Sequence, residues 1–174
     1  MKKVLIVSLT LFLISSLIKG DTIRIPDEAI RFRVIANSDS KYDQDIKQGV
    51  RSELEKDLYN YLKDTNNVKE AKDTLKNNLA TINSNIETTL KNKNVNYSYQ
   101  VSLGKNHFPS KEYKGIIYDE GYYDSLVVTL GSGEGSNWWC VLFPPLCLME
   151  AEENKTNEVE YKSYVKELIN KYFD

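Results

Sequence analysis

The sequence has few of the residues from which catalytic and metal sites are usually built. Its 174 residues include a single histidine, His107, and only two cysteines, Cys140 and Cys147. One histidine argues against a metal site built from imidazole ligands. No other part of the sequence presents a recognisable catalytic constellation. We therefore expect no metal site and no cofactor.

A concentrated positive charge is also missing. The 23 lysines and arginines and the 25 aspartates and glutamates leave a formal charge of −2, and no basic block occurs along the chain. A surface that binds nucleic acid usually needs clustered lysine and arginine side chains. The composition therefore argues against a nucleic-acid partner. The length suits one compact domain with additional segments at its ends.

Two motifs resemble ligand-binding loops but lack the complete pattern. The glycine-rich run over residues 131–135 does not have the Gly-x-Gly-x-x-Gly spacing, and no Gly-Lys-Ser/Thr follows it. A turn or bulge explains these glycines better. Asn37, Asp39 and Asp43 are of the types that bind calcium. Lys41, however, stands where a further ligand is expected, and no glycine follows, so a helix cap is favoured.

The N-terminus has a charged start followed by a short apolar run. Lys2 and Lys3 precede residues 4–18, which are apolar apart from serine and threonine. As a helix this run would reach about 22 Å, less than the ~30 Å hydrocarbon core of a bilayer. The pattern predicts a secretory signal peptide over residues 1–20, with an uncleaved anchor or a buried helix as the alternatives.

Export changes the interpretation of the two cysteines. Outside the cytoplasm an isolated pair favours a disulfide over a metal site. Pro144 and Pro145 lie between Cys140 and Cys147 and help the chain to reverse. Two buried free thiols are the alternative. A free Cys140 paired with His107 could serve as a nucleophile in acyl transfer, and a disulfide would remove that option.

The cysteines lie in an unusually apolar stretch, NWWCVLFPPLC, over residues 137–147. It contains the only two tryptophans of the chain, Trp138 and Trp139. Adjacent residues of a strand point to opposite faces, so both tryptophans are buried only if the strand is covered on both sides. An open face would instead expose an aromatic patch, which often marks a partner site. The stretch is therefore either a core strand or a contact surface.

Hydrophobic periodicity predicts one strand followed by two helices in the first half of the chain. The strand covers residues 30–36. Ser40 and Asp43 form a capping box, and apolar residues recur at three- and four-residue steps from there to residue 62. A second helix over residues 68–90 follows a short break, which makes the two helices antiparallel neighbours.

Further strands are predicted in the second half. Residues 95–103 alternate cleanly between apolar and polar side chains. Residues 113–118 and 122–130 form two more strands, joined by a turn and paired with each other. The apolar run 126–128 indicates burial on both faces. The expected class is α+β, with an N-terminal strand, an antiparallel helix pair, and antiparallel strands forming a sheet against the helices.

The predicted domain spans residues 21–149 and is followed by two segments of different character. Residues 150–158 are acidic and predict a linker. Residues 159–174 carry one apolar stripe at helical spacing and predict an amphipathic helix. Packing of this stripe onto the domain is the simplest interpretation. Docking on a partner or on a membrane surface is the alternative.

Several motifs together resemble the stage II sporulation protein R family. They are RFRVIANSDS over residues 31–40 with the polar residues that follow as far as Arg51, then Phe108-Pro109 with Tyr113, Gly121-x-Tyr123, and GSGEGSNWWCVLFPPLC over residues 131–147. The last motif is highly specific. The resemblance covers residues 28–148, and the acidic linker and final helix contribute little to it.

The resemblance implies a signalling protein of endospore formation, not an enzyme. Such proteins are made in the forespore and secreted across the forespore membrane into the intermembrane space. There they activate a membrane-embedded aspartic protease, which processes pro-sigma-E. Contact with the membrane itself is expected only through the signal peptide or through the C-terminal helix.

The surface that contacts this protease is expected in the aromatic stretch, held by a Cys140–Cys147 disulfide. The leading candidates are Trp138, Trp139, Phe143, Pro144, Pro145 and Leu146. The secondary candidates are polar residues that could equally cap a helix or form an internal ion pair, namely Asn37, Asp39 and Arg51. A secreted thiol-dependent envelope hydrolase or acyl transferase using Cys140 is the alternative function. A structural envelope-binding domain is a third.

Overall fold

The computed structural model describes residues 23–147 and 158–173. The predicted signal peptide over residues 1–20 and nearly all of the predicted linker over residues 150–158 lie outside the described residues. The described residues form seven strands and four helices: β1 (Ile23–Arg24), β2 (Ile30–Ile35), α1 (Lys41–Leu62), α2 (Val68–Asn77), α3 (Leu79–Asn92), β3 (Tyr99–Phe108), β4 (Lys111–Tyr113), β5 (Ile116–Tyr118), β6 (Gly121–Leu130), β7 (Asn137–Phe143) and α4 (Glu158–Phe173).

The central sheet has four strands in the order β3-β6-β2-β7. β6 pairs antiparallel with β3 but parallel with β2, and β7 pairs antiparallel with β2. The predicted α+β class is confirmed. The purely antiparallel arrangement is wrong, because a long connection that includes three helices separates β2 from β6 in the chain. A connection of that length lets two strands lie parallel.

One face of the central sheet packs against the helices. The predicted apolar stripe of α1 is buried there, and its residues recur at three- and four-residue steps: Ile46, Val50, Leu54, Leu58 and Leu62. They belong to one cluster with sheet residues Phe32, Val34, Leu126 and Val128. Full burial of each such side chain contributes about 1.5–3 kcal/mol relative to exposure. This cluster is the main core of the domain.

The helix predicted over residues 68–90 is two helices, which is a correction. α2 ends at Asn77 and α3 begins at Leu79. Asn78 separates them, and its side-chain amide donates to the Thr74 carbonyl oxygen at 2.9 Å, as its backbone N–H does at 3.1 Å. Asparagine side chains compete with the backbone for hydrogen bonds in this way. The apolar stripe nevertheless continues across the break.

Residues 113–118 form a tight hairpin and not the single strand that was predicted. β4 and β5 pair antiparallel, with Tyr113 opposite Ile116. The two residues between them, Lys114 and Gly115, have φ angles of 47° and 70°. Two consecutive positive φ angles define the turn that matches the natural twist of a two-residue hairpin. Lys-Gly is a weaker signal for such a turn than Asn-Gly, so the sequence pattern concealed it.

The partner predicted for residues 122–130 is also wrong. These residues belong to β6, which lies between β3 and β2 and does not pair with residues 113–118. β3 begins four residues later than the predicted strand and continues to Phe108, because β6 pairs with it along its whole length. The buried run Leu126 to Val128 lies at the centre of the sheet, which confirms that both faces of this strand are covered.

A second layer covers the opposite face of β2 and β7. It consists of a small sheet in the order β1-β5-β4 together with α4. Three α4 side chains are buried, Tyr161, Val165 and Leu168, and they pack with Ile116 of β5 and with other apolar residues of the domain. The apolar stripe of the C-terminal helix therefore packs onto the domain. Within the two described ranges, no helix is both long and apolar enough to cross a membrane.

Candidate functional site at the edge of the central sheet

Both tryptophans lie on β7, which is an edge strand of the central sheet. Their side chains are on opposite faces, as alternation along a strand requires. Trp138 lies on the side of the helices, with its ring edge-to-face against Phe32 at 5.7 Å between centroids. Trp139 lies on the other side, with its ring 5.5 Å from each of Phe108 and Tyr118. Both are partly buried.

A hydrogen-bonded clamp between two loops fixes the start of β7. The Asn37 side-chain oxygen accepts from the Ser132 N–H at 2.9 Å, and the Ser132 hydroxyl donates to the Asn37 carbonyl oxygen at 2.9 Å. The Asp39 carboxylate accepts from the Ser136 N–H at 2.6 Å. Hydrogen bonds from Ser136 hold the pKa of Asp39 below its usual value. The glycine-rich run is thus a loop held next to the strand that follows it.

The first turn of α1 completes this clamp. The Ser40 hydroxyl accepts from the Asp43 N–H at 3.1 Å, as a helix cap should. The Asp43 carboxylate accepts from the Ser38 hydroxyl at 2.5 Å and from the Asn37 amide at 2.9 Å. Lys47 donates to the Ser136 carbonyl oxygen at 3.0 Å. Asn37 and Asp39 therefore position β7 through the loop that precedes it.

The predicted disulfide between Cys140 and Cys147 is present, with the two Cα atoms 5.4 Å apart. It joins β7 to the end of the proline-containing loop. The Leu146 N–H also donates to the Val141 carbonyl oxygen at 3.1 Å, so the loop folds back along β7. Cys140 is buried in the core between sheet and helices. A bridged, buried sulfur cannot act as the nucleophile of a thiol enzyme.

An open cleft of about 180 Å³ lies along the outer edge of β7. Its walls come from three elements that are distant in sequence: α1, the β4–β5 hairpin and β7. The lining includes Arg51, Lys111, Tyr113, Asn137, Trp138 and Trp139. The cleft therefore combines both tryptophans with two basic side chains at a sheet edge.

Each basic side chain of the cleft contacts a tryptophan ring. The Arg51 guanidinium carbon is 3.9 Å from the Trp138 ring centroid, and the Lys111 ammonium is 5.1 Å from that of Trp139. Arg51 also donates to Glu55 at 3.2 Å in a pair that is largely shielded from solvent. Burial raises the pKa of Glu55, and the charge of Arg51 opposes that shift. Lys111 is exposed and has no carboxylate partner among the described residues.

A buried arginine lies beneath Trp139. Arg31 is fully buried, and its guanidinium carbon is 3.4 Å from the Tyr123 ring centroid and 5.7 Å from that of Trp139. It donates one hydrogen bond, to the Asp119 carbonyl oxygen at 3.3 Å, whereas its Nε and Nη1 have no hydrogen-bond partner. Burial lowers the pKa of Arg31. The Arg31 guanidinium thus lies among aromatic rings that include those of Tyr123 and Trp139, and it supports the buried side of Trp139.

The structure does not bring all of the predicted contact residues together. Trp138, Trp139 and Arg51 lie together in the cleft. Three others, Phe143, Pro144 and Leu146, are buried, so their side chains are not presented to a partner in this structure. Phe143 packs against Tyr172 of α4 at 4.7 Å between ring centroids. Pro145 is partly exposed at the opposite end of β7 from the cleft opening.

The sequence pattern did not single out as site residues Lys111, Tyr113, Tyr118 and Asn137, which line the cleft, or the buried Arg31. The first two reach the cleft because of the β4–β5 hairpin, and recognising Lys114-Gly115 as a turn would have placed them on a separate hairpin. Arg31 alternates with Phe32 in a strand, which normally indicates a solvent-facing side chain. Nothing local in the sequence indicates the aromatic rings that surround it.

The described residues contain no group of three or more histidine, cysteine, aspartate or glutamate side chains that could hold a metal ion. The single histidine, His107, lies against Tyr122 and 3.3 Å from Glu120, on a strand that does not neighbour β7. It is therefore not assembled with Cys140 into a catalytic pair.

The fold and the cleft define a disulfide-bonded α+β domain with an aromatic and basic cleft at a sheet edge. The chain belongs to the stage II sporulation protein R family, whose model matches residues 26–155. It is similar to the stage II sporulation protein R of Bacillus subtilis strain 168, with 37% identity over 163 residues, 86% of this chain and 73% of that protein. The comparison with solved structures found no match for this chain. Family membership supports a role in endospore formation.

Proposed function

We propose that this protein is an exported signal that activates the membrane-embedded aspartic protease responsible for processing pro-sigma-E. The observation that carries the proposal is the family match over residues 26–155, which includes both the loop clamp and the cleft. On this proposal the protein acts by binding and is not an enzyme. Its target is a protease that lies in the membrane surrounding the forespore.

The disulfide supports the exported location. Cys140 and Cys147 are bridged, and structural disulfides form and persist outside the cytoplasm. The charged and apolar N-terminal segment over residues 1–18 has the composition of a signal peptide. Secretion across the forespore membrane into the intermembrane space would place the folded domain beside the protease.

The bridge also weighs against the alternative of a thiol-dependent envelope hydrolase or acyl transferase. That reaction needs a free Cys140 thiolate near a base, but Cys140 is bridged and buried, and His107 lies on another strand. Mass measurement of the exported protein with and without a reductant tests this directly. A mass gain on reduction and alkylation supports the bridge, whereas alkylation without reductant would favour the thiol enzyme.

Reconstitution in a non-sporulating host tests the proposed activity. The protein, the protease and pro-sigma-E are expressed together, and the pro-sequence is followed by immunoblot. We expect processing only when all three are present. Equal processing without this protein would overturn the proposal.

A double substitution in the N-terminal segment tests the requirement for export. Replacing Leu11 and Leu13 with arginine interrupts the apolar run of the N-terminal segment. The precursor should then be retained in the producing compartment and processing should stop, although the protein is still made. Normal processing by a strictly retained precursor would contradict an exported signal.

A further inference from the structure

The outer edge of β7 has backbone groups available for pairing. β7 has β2 on one side, and no described strand lies on the other. The Val141 carbonyl oxygen accepts from the Leu146 N–H, so it points away from β2. Backbone groups of an antiparallel strand alternate between its two edges. The N–H and C=O groups of Trp139 and Asn137 therefore point outward as well.

This open edge is short and bounded. At the Val141 end it is closed by the returning loop, through the hydrogen bond from Leu146. At the other end the clamp fixes Ser136 through Asp39 and Lys47. The open part runs from Asn137 to Trp139, where the cleft lies. A brief extended segment can pair there without displacing any described strand.

The cleft offers side-chain contacts on both sides of such a segment. Successive side chains of a strand alternate between faces, so they would meet Trp138 on one side and Trp139 on the other. Addition of a strand to an exposed sheet edge is a common mode of peptide recognition. Aromatic residues at the centre of a contact surface usually supply much of the binding energy.

The charge of the cleft indicates what the segment carries. Lys111 is exposed, contacts the rings of Trp139 and Tyr113, and has no carboxylate partner among the described residues. Arg51 already forms an ion pair with Glu55. Lys111 is therefore the basic group of the cleft that is free to pair, and a carboxylate on the bound segment would be its complement.

A second copy of this chain fits the edge less well. Two β7 edges paired with each other would bring the basic side chains of the two clefts into proximity. Like charges at an interface are unfavourable. The cleft therefore favours a different, acidic partner.

We infer that this cleft receives an extended acidic segment of the membrane protease, which adds as a short strand to β7 at Asn137–Trp139 and places a carboxylate at Lys111. The inference rests on the proposed function, because it takes the protease as the partner. A protease within the membrane presents to an exported protein only the segments that leave the membrane on that side. The open edge from Asn137 to Trp139 requires that one such segment contain a short extended stretch.

Photo-crosslinking tests the location of contact. A photoreactive amino acid is placed at Lys111, and in a matched control at Lys63, which is also exposed but lies at the end of α1, about 18 Å along the helix axis from Arg51. We expect crosslinks to the protease from position 111 and none from position 63. Crosslinks from position 63 alone, or a crosslinked homodimer from position 111, would overturn the inference.

Binding measurements test the chemistry of the segment. The probes are overlapping synthetic peptides that cover the segments of the protease on the export side of the membrane. We expect one acidic peptide to bind, with affinity about tenfold weaker for Lys111→Glu and unchanged for Lys63→Glu. Replacing the peptide carboxylate with lysine should restore binding to Lys111→Glu. A peptide whose affinity is the same for the wild type and for Lys111→Glu would overturn the inference.

Backbone pairing has its own test in the same peptide. N-methylation at alternate residues removes the N–H groups on one edge of a strand. Methylation of one alternating set should abolish binding, whereas methylation of the other set should leave it unchanged. Equal effects of both sets would exclude strand addition.

The two proposals fail in different ways. If the protein activates processing but crosslinks only from outside the cleft, the proposed function stands and this inference is wrong. If an acidic peptide of the protease binds the cleft but co-expression gives no processing, the binding site stands and the proposed activation is wrong.

Discussion

Asn37 and Ser132 hold each other through two hydrogen bonds of 2.9 Å, one to the Asn37 side chain and one to its carbonyl oxygen. They are distant in sequence and join the loop before α1 to the glycine-rich loop before β7. The loops that carry the polar motif and the glycine-rich motif are therefore hydrogen-bonded to each other. Asp39 in the first loop also accepts a hydrogen bond from the Ser136 N–H. The two loops together therefore fix the start of β7, where the tryptophans lie.

The close approach of these loops predicts a strict need for glycine at position 135. A Cβ atom there would lie 2.3 Å from the Ser38 carbonyl oxygen, which is backbone and cannot move aside alone. Gly135→Ala should therefore lower the free energy of unfolding by about 2–3 kcal/mol. Thermal melting measures it. Gly121→Ala is the control, because its added Cβ meets only the Tyr123 side chain at 3.2 Å. Equal melting of both variants would contradict the clamp.

The clamp also predicts a dependence of stability on acid. The hydrogen bond from Ser38 lowers the pKa of Asp43 in the folded state. A carboxyl with a lowered folded pKa stabilises the fold above its unfolded pKa, and this contribution is lost as the pH falls through the folded pKa. We expect the melting temperature of the wild type to decrease when the pH is lowered below about 4. In Asp43→Asn that fall should be smaller and the melting temperature at neutral pH lower. The exposed Asp64→Asn variant should follow the wild type at each pH.

The disulfide should stabilise the domain measurably. Closing so short a loop is worth about 2.5 kcal/mol in the chain-entropy model. The double variant Cys140→Ala with Cys147→Ala should therefore melt at a lower temperature, and a reductant should shift the wild type but not the variant. A wild type insensitive to reductant under conditions where alkylation proves reduction would show that the bridge contributes little.

The C-terminal helix should be part of the folded core. Val165 is fully buried against the second layer, whereas Ser163 on the same helix is exposed. A charge left unpaired in a buried position costs about 3–5 kcal/mol. Val165→Asp should therefore melt far below Ser163→Asp, which should resemble the wild type. Equal melting of the two variants would mean that this helix is dispensable for the fold and free to contact a partner.

Local periodicity anticipated those parts of the structure that depend on nearby residues. The α1 stripe and the double-sided burial around Val127 follow from spacing alone. The break at Asn78 and the Lys114-Gly115 turn depend on weak local signals that the apolar pattern outweighed. The contact between Lys111 and Trp139 could not be predicted, because it depends on how the β4–β5 hairpin packs against β7, an edge strand distant in sequence. Arg31 was hidden for the same reason.

The tryptophans should differ when each is removed, and the structure indicates which is which. Trp139 packs against Phe108 and Tyr118 and lies over the buried Arg31. Trp139→Ala should therefore lower the free energy of unfolding by about 3 kcal/mol and reduce the exported amount. It should act as a folding variant.

Trp138 has fewer such supports and faces the cleft beside Arg51. Its ring contacts with Phe32 and Arg51 are together worth about 1–2 kcal/mol beyond the burial of its apolar area. Because Trp138 has fewer aromatic neighbours than Trp139, we expect Trp138→Ala to cost less stability than Trp139→Ala and to remain folded and exported. Under the proposed function it should nevertheless activate pro-sigma-E processing poorly, since an aromatic anchor of the interface is lost. Trp138→Phe, which keeps a ring on Phe32, should recover most of the melting temperature but only part of the activation. Exported amount, melting temperature and processing are compared for all three variants. If Trp138→Ala and Trp139→Ala are equally unstable, the stretch is a core strand and the protease contacts another surface.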